Sequence, residues 1–129
     1  MVADVVFDED LCSYPGVVHG GIVSTAADDV MAHAVLLGHH TLTFSTTLRT
    51  RFLSVVRAGA AYRITARTTS VLGGMFGVEA EVTGETGDLH ALVTGTYKPI
   101  RDDNVRSLLA LNDQEHRLIR PFLGGGGER

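Results

Sequence analysis

The sequence predicts an α+β fold in which one antiparallel β-sheet wraps around a single long central helix, with a short helix near the C-terminus. Three observations predict it. Between residues 22 and 37 the apolar side chains recur at helical spacing. From residue 42 to residue 97 the period changes to two, in four runs separated by glycine-containing breaks. Those breaks are short, and short connections join antiparallel neighbours.

Taken in order, Val2 to Phe7 reads as a first strand, and Leu11 to Val18, which carries Pro15 and Gly16, as a loop. The helix follows His19-Gly20-Gly21. Val23, Ala26, Ala27, Val30, Met31, Ala34 and Val35 step by three and four and form one stripe. The alanines among them let the helix approach its cover closely, and Gly38 supplies its stop. In the next run Leu42, Phe44, Thr46, Leu48, Thr50 and Phe52 share one face, and Thr43, Ser45, Thr47, Arg49 and Arg51 the other. After the Ala58-Gly59 turn, Tyr62, Ile64, Ala66 and Thr68 alternate with Arg63, Thr65 and Arg67. Gly73-Gly74 ends that strand. Phe76, Val78, Ala80 and Val82 mark the next, and a turn at 84–88 leads to Leu89, Ala91, Val93, Gly95 and Tyr97 before Pro99. A helix with one apolar stripe and a sheet with one apolar face cover each other. In the tail, Asp102, Asp103 and Asn104 can cap a second helix, an extension over 102–121 with Val105, Leu108, Leu109, Leu111 and Ile119 on one side and Pro121 at its end. Gly124 to Gly127 reads as a flexible terminus.

The bulk numbers narrow the function. A chain of 129 residues is expected to be one domain, with its core over 5–98 and a tail at 124–129. The net charge is −4 and the Lys and Arg residues are scattered, which argues against nucleic acid or a membrane surface as partner. Cys12 is the sole cysteine, so no internal disulfide framework and no thiolate metal site is available; it reads as a small, partly buried hydrophobe. No run reaches membrane-span length, and Met1 to Phe7 lacks a basic signal region, so a cytoplasmic setting is expected. His39-His40 has no Asp, Glu or Cys at ligand spacing, and no metal is expected. His33, His90 and His116 read as structural or surface residues.

The informative segment runs from Tyr14 to Asp29. Gly20 and Gly21 open a helix, where backbone N–H groups are unpaired and sterically accessible and the helix dipole is positive. An oxygen gaining negative charge is stabilised there. The same pair also suits a plain loop-to-helix turn. Asp28 falls on the flank of the apolar stripe beside Ser24 and Met31, whereas Asp29 faces solvent. A flank carboxylate is either a hydrogen-bonded surface charge or, partly desolvated, a base or nucleophile. Gly20 and Asp28 are separated by about 12 Å of helical rise, so one helix cannot bring both to one reacting carbon. If both act, the site takes one from each of two chains.

This segment resembles the signature of the PaaI-type thioesterases of the 4-hydroxybenzoyl-CoA thioesterase superfamily, whose fold is the hotdog. The likeness covers about residues 5–98: His19-Gly20-Gly21 with an acid nine residues after the His, then Leu48-Arg49-Thr50-Arg51-Phe52 and Arg57-Ala58-Gly59. It implies hydrolysis of an acyl-CoA thioester, with coenzyme A as part of the substrate and no further cofactor. By the resemblance Gly20 donates its N–H to the thioester carbonyl, His19 positions that region, and Asp28 of the partner chain activates water or attacks directly. Ser45 is the hydroxyl expected near the carboxylate, with Thr46 or Thr47 as alternatives. Many relatives carry Asn six residues before the His; here Ser13 stands there, and the Tyr14-Pro15-Gly16 lead-in resembles a branch that also lacks the Asn. Asp28 replaces the Glu of one 4-hydroxybenzoyl-CoA branch and points away from that substrate. Gly21, Ser13 and Met31 are expected to line the acyl site. Arg57 and Arg67 are the picks for CoA phosphates, and Gly73-Gly74 for a close approach to the nucleotide. A homodimer is implied, with a dimer of dimers left open. Two rivals remain: a hydratase or dehydratase on the same fold, for which no second motif is present, and a module that binds acyl-CoA or acyl carrier protein without turnover.

Overall fold

The computed structural model describes residues 1–101 and 109–123. Its strands are β1 (Val2–Val6), β2 (Cys12–Tyr14), β3 (Val17–Val18), β4 (Thr43–Phe52), β5 (Ala61–Leu72), β6 (Met75–Gly84) and β7 (Leu89–Pro99). Its helices are α1 (Gly20–His39) and α2 (Asp113–Ile119), with 3-10 turns at Glu9–Leu11 and Arg120–Phe122. Five strands form one antiparallel sheet in the order β1-β5-β6-β7-β4, and β2 and β3 form a small separate hairpin.

Helix α1 lies on one face of this sheet. Val23, Ala27, Met31 and Val35 are buried against Ile64, Ala66, Val78, Ala80, Val82, Ala91 and Val93. Burial alternates along β5 and β6 as the period of two requires, so every second residue points at the helix. The small Ala27, Ala66, Ala80 and Ala91 keep helix and sheet close.

Three expectations need correction. The helix is longer than its apolar stripe, starting at Gly20 and ending at His39, so Gly38 is inside it. The stop is His40, in the left-handed conformation (φ 52°) with its N–H on the Leu36 carbonyl at 2.9 Å. The segment Leu11 to Val18 is no plain loop: Pro15 and Gly16 (φ 74°) turn the β2–β3 hairpin, with Gly taking the positive φ. In β4 the register shifts between Ser45 and Thr47, so Thr46 is the extra residue of a β-bulge. The bulge moves Ser45 and Thr43 to the face shared by Leu48, Thr50 and Phe52. It reverses the expected placing of Ser45 with Arg49 and Arg51.

The tail carries the expected short C-terminal helix, and part of what was expected of it falls outside the described residues. The expected caps Asp102, Asp103 and Asn104, with Val105 and Leu108, lie outside the described residues, as does Gly124 to Gly127. The described helix starts at Asp113. Asn112 accepts from the Glu115 N–H at 2.8 Å, and the Glu115 carboxylate accepts from the Asn112 N–H at 3.0 Å. Leu109 and Leu111 precede α2 and pack with Ile100, Leu123, Leu42 and Ile119. The Phe122 carbonyl accepts from the Leu42 N–H at 2.8 Å, so this segment closes over the entry to β4 of its own chain.

Candidate active site

The start of α1 is built by His19. Its side-chain Nδ1 accepts from the Gly21 N–H at 2.9 Å, and its carbonyl accepts from Ile22 and Val23 at 2.9 and 3.3 Å. Three of the first four N–H groups of the helix are therefore used. Gly21, expected to meet the substrate, spends its N–H on this cap. Gly20 keeps its own, with no partner among the described residues. Gly20 borders a hollow of about 420 Å³ whose wall includes Ser13, Tyr14, Val18, Val23, Phe52 and the 53–56 loop. A Cβ on Gly20 would come within 3.1 Å of the Phe52 ring, so a larger residue there requires that exposed ring to shift. His90 braces the same loop: its ring Nδ1 lies 2.8 Å from the Val55 carbonyl oxygen, its Nε2 2.8 Å from Asp88, and its carbonyl accepts from Leu53 and Ser54. Ser13 is exposed on the rim.

Asp28 lies two turns on, half-buried, on the flank of the stripe as its spacing requires. It borders a different hollow, of about 490 Å³, formed with Val5, Val6, Phe7, Ile22, Ala26 and Ala32. Gly20 and Asp28 of one chain are thus not brought together. Asp28 is not a free surface charge either: the Tyr97 hydroxyl donates to its Oδ1 at 2.5 Å and lies 3.3 Å from its backbone carbonyl. Tyr97 is 1% exposed. Burial, and then the Asp28 carboxylate beside it, push the phenol far above its ordinary value, so it stays a donor. Tyr97 is the residue that sequence reasoning left as an ordinary strand position. The available signal was a tyrosine on a buried face, where an O–H needs a partner.

Ser45 is the cross-strand partner of Tyr97, and paired residues share a face, so it lies on the helix side of β4. Thr46 and Thr47, the alternatives, both bond the Thr96 hydroxyl, at 2.7 and 2.6 Å. Thr50 meets Ser24 of the helix at 2.7 Å. Met31, expected to line the acyl site, is fully buried within the core cluster of this chain. Arg57 follows Val56 of the loop and reaches toward Gly16; its N–H bonds the Tyr62 hydroxyl at 2.8 Å. Arg67 faces away from the helix and pairs with Glu79 at 3.3 Å. Gly73 and Gly74, both at positive φ, form the tip of the β5–β6 hairpin. That tip lies toward the end of the sheet where Phe76 meets His39, away from Gly20 of the same chain. Desolvation, then the nearby Glu9, push the Cys12 thiol up. Among the described residues no group of His, Cys, Asp and Glu gathers as a metal site, and no helix is long and apolar enough to cross a membrane.

The sequence pattern of the thioesterase superfamily matches residues 15–91, the span from the β2–β3 turn into β7. The chain belongs to the thioesterase superfamily. Its hotdog fold is shared by the Escherichia coli PaaI protein from the phenylacetic acid degradation operon: 18% identity, 75% of this chain and 73% of that one, TM-score 0.70. A Streptococcus mutans protein bound to acetyl CoA is similar at 18% identity, over 76% and 78% of the two chains, TM-score 0.70. A hypothetical thioesterase of Streptococcus pneumoniae with coenzyme A is similar at 15% identity, over 76% and 78%, TM-score 0.71. No curated protein sequence matches significantly. At these identities the structural likeness speaks for the fold, while membership rests on the superfamily match.

Proposed function

We propose that this thioesterase-superfamily protein hydrolyses acyl-CoA thioesters to the free acid and CoA, at sites shared between two copies of the chain. The observation that carries the reading is the Gly20 N–H. It is the one donor of the first helical turn left without a partner among the described residues, and it opens on a largely apolar hollow. A thioester carbonyl seated there is polarised by the N–H and the helix dipole, and the oxyanion of the tetrahedral intermediate is held in the same place. The carboxylate comes from Asp28 of the second copy. As a base it takes a proton from water while the water oxygen bonds to the carbonyl carbon. The intermediate then collapses with cleavage of the C–S bond, and the leaving sulfur takes that proton back. Direct attack by the carboxylate, with an anhydride hydrolysed afterwards, uses the same residues. Ser45, on the helix side of β4, is the hydroxyl that would steer the water.

The pairing of two copies has support in β4, an edge strand of the sheet with a run of exposed residues from Phe44 to Arg49. Unpaired N–H and C=O groups along such an edge suit a second strand. Arg57, beside the hollow, supplies local positive charge for CoA phosphates in a protein of net charge −4.

The test is thiol release across short, medium, long and aromatic acyl-CoAs, with Asp28→Asn in parallel. Turnover by the native protein, reduced about 100-fold or more in the variant, is expected. Equal turnover in both would remove Asp28 from the mechanism. Tight acyl-CoA binding without turnover would identify a binding module.

A further inference from the structure

We propose that Tyr97 is the positioning residue of the Asp28 carboxylate, fixing which of its oxygens reacts; the proposal rests on the thioesterase reading above. Tyr97 is 1% exposed, and its hydroxyl has two acceptors, both on Asp28: Oδ1 at 2.5 Å and the backbone carbonyl at 3.3 Å. The ring is fixed independently of that contact. Strand β7 lies between β6 and β4, with Phe76 and Ser45 as the cross-strand partners of Tyr97. The ring edge also leans over Gly95, where a Cβ would lie 3.2 Å from it. A side chain so confined cannot follow Asp28; Asp28 must follow it. With Oδ1 tied to the core, Oδ2 is the oxygen without a partner among the described residues, and it is the one left to meet water or a carbonyl from a second chain.

A carboxylate free to rotate about its last bond offers either oxygen over a range of directions. One with an oxygen tethered offers the other in a narrow range, and orientation of this kind enters the rate and not the binding. Tyr97→Phe removes the hydroxyl and keeps the ring.

The experiment is steady-state thioester hydrolysis by native protein, Tyr97→Phe, Asp28→Asn and the double variant. Expected for Tyr97→Phe is a kcat about 10–100-fold lower with KM within about twofold. In the Asp28→Asn background the same change is expected to cost under about threefold, since there is no carboxylate left to aim. Native kcat in Tyr97→Phe, a loss carried in KM, or a full loss repeated on top of Asp28→Asn would each overturn the proposal. If Tyr97→Phe does not fold, 4-fluorophenylalanine at the same position, which keeps the ring and its reach but not the donor, makes the test: a lower kcat at constant KM supports it, native kcat overturns it. Failure of the thioesterase reading looks different, because then the native protein turns over no acyl-CoA.

Discussion

Gly20 and Gly95 are fitted to what stands next to them rather than to a φ of their own. Gly20 leaves room for the Phe52 ring, and Gly95 leaves room for the Thr47 backbone carbonyl and the Tyr97 ring, at 2.9 and 3.2 Å from where a Cβ would be. The two contacts differ in kind. Phe52 is exposed and can swing, whereas Gly95 faces backbone in the middle of a sheet. Gly95→Ala is therefore expected to destabilise the protein by about 1–3 kcal/mol, seen as a lower urea midpoint at unchanged m-value. Neither neighbour was legible in the sequence. Gly95 continues the alternation of Ala91 and Val93 and reads as one more inward position. The Tyr97–Asp28 contact spans 69 residues, and no local pattern encodes it. What was legible was placement within one short segment. His19, Gly20 and Asp28 sit where one helix start and one helical period must put them, and the flank position of Asp28 follows from 3.6 residues per turn.

At the scale of elements the alternation in β5, β6 and β7 was legible because each of those strands buries one face. Strand β4 misled for a definite reason. Its bulge at Thr46 adds one residue, and a run of alternating Thr, Ser and Phe looks the same before and after such an insertion. The consequence is local, since the bulge is what turns Ser45 toward the helix side. The ends of α1 were hidden in a similar way, because Gly20, Gly21, Gly38 and His39 add nothing to its apolar stripe. His40 closes the helix in a conformation that costs an ordinary L residue about 1–2 kcal/mol, and glycine takes it without a Cβ penalty. The glycine's extra freedom in the unfolded chain offsets part of that gain. His40→Gly is expected to stabilise the protein by about 0.5–1 kcal/mol, measured by chemical unfolding with Gly38 kept as it is. In the tail, Asn112 and Glu115 stand at capping-box spacing, a signal readable in the sequence just before the described helix.

At the scale of the whole molecule, a single chain separates what the proposed reaction must join. The Gly20 hollow and the Asp28 hollow are distinct, and the rigid helix between them cannot shorten. Two copies related by a two-fold axis solve this, each giving a helix start to one site and a carboxylate to the other. Complementation tests the idea directly. Gly20→Val places a side chain in the hollow against Phe52, and Asp28→Asn removes the carboxylate, so each variant alone is expected to be nearly inactive. A mixed dimer holds one site with both defects and one with neither. If subunits are unfolded together and refolded at equal concentration, half the dimers are mixed and each has one working site. Activity should then return to about a quarter of native. Sites contained within one chain would give no recovery at any ratio, because every chain in the mixture carries a defect. The recovered activity should also rise and fall with the proportion of the two variants, with its maximum at equal amounts, and a signal independent of that ratio would mean that the site is not shared.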